Sequence, residues 1–151
     1  MKAIISSLLT AMVTLAAIEG HAQSNLSGPQ VATVKNGDYE ILIPTDRIQQ
    51  GLKRLFGQSK QDITIRSVSV INYEDHLYLQ VTGAEHEICL IPLAEKDEAL
   101  FEMIGLETRI VLCAGKGDGC QPQLTENRWR CTDSTGECIK SVAVTDHSIF
   151  E

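Results

Sequence analysis

Four of the chain's five cysteines stand close together, at positions 113, 120, 131 and 138, in two echoing halves, CAGKGDGC and CTDSTGEC. Grouped thiols can pair oxidatively, ligate a soft metal or attack an electrophile, and each use needs its own spacing. Compact metal knuckles offer ligands about two to four residues apart, whereas here each half holds its cysteines at its two ends. Thiol exchange needs a C-x-x-C pair to lower one thiol's pKa, and the sequence has none. The segment is polar and turn-rich, so it has little hydrophobic burial of its own, and cross-links supply what a core cannot. Cys113, Cys120, Cys131 and Cys138 are therefore expected to form two disulfides. Closing one loop of about 15 residues is worth about 3 kcal/mol in the chain-entropy account. Four cysteines permit three pairings. Cys113 ends one expected strand and Cys138 begins another, which predicts the nested arrangement, Cys113 with Cys138 and Cys120 with Cys131. The second arrangement joins each half to itself. Four thiolates holding a metal ion are the alternative use of the same residues.

The fifth cysteine, Cys89, lies in the apolar run Ile88-Cys89-Leu90-Ile91 and reads as a free, buried thiol. A nucleophile there would need an adjacent base. His86, three residues away, points to the opposite face of a strand. Trp129, the single tryptophan, is flanked by Arg128 and Arg130. Trp and Arg together are typical of binding hot spots, which makes these three a possible binding surface. The plainer alternative packs the ring over a disulfide and leaves both Arg residues in water. The loop Gly115-Lys116-Gly117-Asp118-Gly119 lacks the helix start that a phosphate loop requires. His76, His86 and His147 form no metal motif, and neither they nor carboxylate pairs such as Glu74-Asp75 define a reaction.

The N-terminus has the three parts of a secretory signal. Lys2 precedes the apolar stretch Ala3–Ile18, Glu19 ends it, and Gly20-His21-Ala22 offers small residues to a signal peptidase. The apolar stretch is shorter than the roughly 20 residues of a membrane span. Residues 1–22 are expected to be removed, 23–30 to form a flexible lead-in, and 31–151 to fold as one α+β domain. Asn25-Leu26-Ser27 matches the N-glycosylation pattern. The net charge is −7, with signs interspersed, so nucleic acid and anionic membrane surfaces are poor partners. After signal cleavage no run is long enough to cross a membrane.

The elements that must position these residues follow from periodicity. Val31–Lys35 and Asp38–Ile43 flank Asn36-Gly37, whose tolerance of positive φ predicts a type I′ hairpin. Pro44-Thr45-Asp46 opens a helix with Ile48, Leu52, Leu55 and Phe56 on one face, Asp46 and Gln49 as a capping box, and Gly57 as a left-handed stop. Ile63, Ile65, Val68 and Val70 alternate, with a slip at Arg66-Ser67 that predicts a β-bulge. Leu77, Leu79 and Val81 form one face of the next strand, and Ile88–Ile91 suits an inner strand. Ala94–Ile104 reads as a second helix with acidic residues in its first turn. Thr108–Leu112 and Ile139–Val144 are further strands, and the tail after them is polar. The expected fold is α+β: a mainly antiparallel sheet of about six strands, two short helices and a cysteine-rich loop segment at 113–138.

These features describe a small, acidic, secreted or periplasmic, non-enzymatic binding or interaction module stabilised by disulfides. Its partner would be a protein or surface ligand that the sequence does not identify, and no cofactor is implied. The alternatives are a small exported enzyme whose site assembles only in three dimensions, and a four-thiolate metal domain. N-terminal sequencing of the exported protein should find Gln23 as the first residue, within a few positions; Met1 on the exported form would defeat the signal reading.

Overall fold

A computed structural model describes residues 28–57, 63–102, 109–115, 120–126, 128–132, 137–144 and 149–150. The signal segment, the Asn25 acceptor site, positions 103–108 and 116–119, and His147 lie outside them. The hairpin at Asn36-Gly37 forms as expected. Strands β1 (Gln30–Lys35) and β2 (Asp38–Ile41) pair antiparallel through a two-residue turn with φ of 55° at Asn36 and 86° at Gly37. Lys35 and Glu40 form an exposed ion pair of 3.0 Å beside it.

Helix α1 (Thr45–Phe56) follows, and its apolar stripe is buried as the period requires, with Ile48, Leu52 and Phe56 in the core and Leu55 against it. Two details of its ends differ from expectation. No side chain caps the N-terminus, where Pro44 occupies the cap position. Gln49 is drawn away instead: its Oε1 accepts a hydrogen bond from the Ile65 N–H at 3.2 Å, tying the helix to the next strand. Gly57 closes the helix with a right-handed φ of −61°, so its conformational freedom is not used there. The glycine that matters is Gly51. It is buried in mid-helix, and a Cβ placed on it would collide with the carbonyl oxygen of Ile149. Ile149 and Phe150, expected in a polar tail, are instead buried in the core and packed onto α1.

Strand β3 (Ile65–Tyr73) carries the predicted bulge, a register shift between Ile65 and Ser67. It turns through Glu74-Asp75, both at positive φ, into β4 (His76–Gly83). Strand β5 (Ile88–Lys96) returns beside β4. The stretch expected as a second helix is strand. β5 runs on to Lys96, turns at Asp97-Glu98 with φ of 56° at Asp97, and returns as β6 (Ala99–Glu102). Of the acidic residues expected in a helix first turn, Glu95 lies in β5 and Asp97 and Glu98 form the turn, while Leu93 and Leu100 enter the core from neighbouring strands. The Glu98 carbonyl accepts from the Val34 N–H and the Thr33 hydroxyl, which fixes this turn to β1.

Among the described residues every ladder is antiparallel. β6 pairs β1, β1 pairs β2, β2 approaches β3, and β3, β4, β5 and β6 pair in sequence, so six strands form a nearly closed barrel. The sheet forks at β5. Its Leu93–Lys96 end pairs β6, whereas Ile88–Leu90 pairs β7 (Arg109–Ala114), and β7 pairs β10 (Ile139–Val144). Pro92, which has no amide hydrogen to donate, sits between these two pairings. Helix α1 packs beside β3 and β10, and its apolar stripe joins the core that the strands enclose. Among the described residues no helix is long and apolar enough to cross a membrane.

Alternation separates two faces. Leu77, Leu79, Val81, Cys89, Ile91, Leu93, Ile110 and Leu112 point inward to the core around α1. Tyr78, Ile88, Leu90, Val111 and Cys113 point outward, yet they too are buried. Gly51→Ala should cost about 1–3 kcal/mol, because overpacking against Ile149 outweighs the roughly 1 kcal/mol that Ala gains over Gly in a helix. Denaturant unfolding measures this, and a stabilised variant would contradict the close approach. Gly37→Val, strained by its positive φ although surrounded by open space, should also destabilise.

Candidate functional site

The outer face is covered by the cysteine-rich segment, which was expected as loop and contains two strands among its described residues. Gln121–Thr125 (β8) and Arg128–Thr132 (β9) form a separate antiparallel hairpin, paired from Gln121 with Thr132 to Thr125 with Arg128. The signal for it was present. Polar and apolar residues alternate in QPQLT and RWRCT on either side of Glu126-Asn127, and Glu126 takes a φ of 52°. Gly, Asp and Ser at both ends of the segment obscured that alternation.

The register places Pro122, Leu124, Trp129 and Cys131 on the hairpin face that meets the sheet. Trp129 is half-buried and joins the two outer apolar clusters. Its ring lies 5.2 Å from Tyr73 in a tilted arrangement and 5.4 Å from Tyr78 edge-on, both favoured geometries for aromatic quadrupoles. Burial raises the Tyr78 pKa, and the Glu74 carboxylate adds to the rise. Tyr73 and Tyr78 carry no site motif in the sequence and reach this face because the Glu74-Asp75 turn sets Ile71 opposite Tyr78.

Hydrogen-bonded and non-hydrogen-bonded pairs alternate along an antiparallel ladder, and at the Leu124–Trp129 pair the Leu124 N–H and the Trp129 carbonyl point away from the hairpin. Both find side chains of the main sheet. The Leu124 N–H donates to the Tyr73 hydroxyl at 3.4 Å, and the Lys140 ammonium donates to the Trp129 carbonyl. Pro122 removes an outward amide from the β8 edge, which blunts it against strand addition.

Two disulfides complete the attachment, and their pairing is neither arrangement expected from sequence. Cys113 joins Cys131 with a Cα separation of 5.4 Å, and Cys120 joins Cys138 at 5.5 Å. The strands β7 and β10 are neighbours as the nested arrangement requires, but their register is not the one it needs. Lys140 stands opposite Cys113, and Ile139 opposite Ala114, so Cys138 is displaced two residues along the ladder. Such diagonal neighbours are about 7–8 Å apart, too far to bridge. Cys131 reaches Cys113 from above, from the hairpin that lies over β7. Gly115 lets Cys120 approach, since a Cβ on it would lie 3.3 Å from the Cys120 Cβ. All four sulfurs are engaged in S–S bonds, which leaves none as a thiolate metal ligand. Among the described residues no three His, Cys, Asp or Glu side chains are grouped to hold a metal ion.

Cys89 is free and buried, and burial pushes its thiol pKa up. It pairs with Leu112 on the inward face, whereas its neighbour Ile88 pairs with Cys113 on the outward face. The sheet therefore stands between Cys89 and the disulfides. The structure does not bring Trp129, Arg128 and Arg130 together on one face. Trp129 points down to the tyrosines, and Arg128 and Arg130 are exposed on the outer face with Gln121, Gln123 and Thr125. His76, the first residue of β4, and His86, in the turn between β4 and β5 at a φ of 67°, are both exposed.

Mass spectrometry of a non-reduced digest should recover Cys113 linked to Cys131 and Cys120 linked to Cys138. Cys89 should resist a thiol reagent in the native protein even at about pH 8.5, the ordinary cysteine pKa, and react once the chain is unfolded. Rapid native labelling of Cys89 would contradict its burial.

Compared with protein-family models, with curated proteins and with solved structures, the chain finds no match in any of the three.

Proposed function

We propose that the protein is an exported, non-enzymatic binding module whose partner-facing surface is the outward face of the β8–β9 hairpin. Two disulfides and the lack of a membrane-crossing helix among the described residues accord with an extracellular or periplasmic location. One observation carries the reading. The hairpin is held on the sheet by two disulfides, an aromatic cluster and side-chain hydrogen bonds at both edges, while its other face is polar and turned to solvent. A two-stranded hairpin alone is marginal in water, so the attachment provides the rigidity that a recognition surface needs. Ordering cost on binding is then low, because the backbone is already fixed.

A photo-cross-linking side chain at Gln123, on the outward hairpin face, tests this in the chain's own exported environment. It should give a discrete adduct that the same group at Gln50, on the exposed face of α1, does not give. Equal adducts from both positions, or none from Gln123, would remove the hairpin as the binding surface.

A further inference from the structure

Arg128 and Arg130 are the charged residues of an outward strand face that they share with Gln121, Gln123 and Thr125. The chain carries 20 acidic against 13 basic residues, yet on the outward hairpin face these two arginines stand two positions apart on one strand, both exposed. Neither forms an ion pair with any described residue, and their cross-strand neighbours are Thr125 and Gln123, both uncharged. Resting on the binding-module reading, we infer that this face binds an extended acidic peptide segment with carboxylates on alternate residues.

Spacing, shape and charge carry this. Residues i and i+2 of a strand project from one face about 7 Å apart. An extended peptide repeats its own side chains at that period, so Glu or Asp at alternate positions meets Arg128 and Arg130 in register. Each planar guanidinium can grip a carboxylate through two parallel N–H donors. Gln121, Gln123 and Thr125 supply neutral donors and acceptors alongside. Pro122 blunts the β8 edge against strand addition, which leaves recognition to side chains on the face. Trp129 is turned inward, so this face offers no aromatic platform on which bases could stack. A long polyanion would also be opposed by the chain's net charge of −7. A short segment stays within about one Debye length, about 8 Å at physiological salt, of the two arginines.

The probe is the synthetic peptide acetyl-Thr-Glu-Thr-Glu-Thr-Glu-amide, titrated against the intact oxidised protein by calorimetry or NMR shift mapping. It should perturb Arg128, Arg130 and Gln123 and weaken as salt rises. Arg128→Gln with Arg130→Gln should lower affinity about tenfold, the size expected for two exposed ion pairs. Arg128→Lys with Arg130→Lys should fall between the two, since charge remains but the fork is lost. A peptide of the same composition with its glutamates adjacent, acetyl-Glu-Glu-Glu-Thr-Thr-Thr-amide, should bind more weakly. Both surface variants leave the hairpin's packed face intact, and an unchanged thermal midpoint confirms that. Absence of binding at millimolar peptide overturns the inference, as do equal affinity for both peptides and tighter binding of a sulfated polysaccharide than of the alternating peptide. A specific Gln123 adduct obtained alongside any of these outcomes would retain the hairpin as a binding surface and discard only the acidic-peptide partner.

Discussion

Strand β5 buries side chains on both of its faces, and the rest of the molecule is arranged to make that possible. Cys89, Ile91 and Leu93 point into the barrel, while Ile88 and Leu90 point out of it. A side chain of that size gains about 1.5–3 kcal/mol when fully removed from water, so neither row can be left exposed without loss. The inward row is met by α1 and by Ile149-Phe150. The outward row requires a second layer, and the chain supplies it from its cysteine-rich segment. An antiparallel sheet commonly leaves one face to solvent, and this one does not at β4, β5 and β7.

The second layer is small, which explains its cross-links. Hairpin β8–β9 can bury only Leu124, Trp129 and a few neighbours, and two strands do not hold themselves in water. Each disulfide spans a sequence separation of 18, a loop whose closure is worth about 3 kcal/mol on the entropy account. The two loops overlap, so their effects do not simply add. Their crossed order has a structural consequence. Cys113–Cys131 fixes β9 over β7, while Cys120–Cys138 ties the start of β8 to the approach of β10. The hairpin is anchored at both of its open ends, and the Tyr73, Tyr78 and Trp129 rings fix it toward its turn. The odd thiol, Cys89, is kept on the other side of the sheet, where no disulfide can be exchanged with it in the native state.

The sequence by itself determined what periods of two and local turn chemistry can determine. Seven strands, the bulge near Arg66-Ser67, the hairpin at Asn36-Gly37, the apolar stripe of α1 and the inner position of Ile88–Ile91 are all readable, because each depends on neighbours within about ten residues. Paired rather than metal-bound cysteines also followed from spacing and composition. Tertiary structure decided the rest. Ala94–Glu102 has helix-like composition, but partners in β1 and β5 make it a hairpin. Ile149-Phe150 reads as part of a polar tail until Gly51 opens a place for it. The cysteine pairing depended on a two-residue register offset and on a layer above the sheet, neither of which spacing encodes. The orientation of Trp129 away from its flanking arginines was latent in strand alternation, but only the packed tyrosines determined which face turned inward. Local pattern fixes which residues share a face, whereas the choice of what covers that face is made by contacts between distant segments.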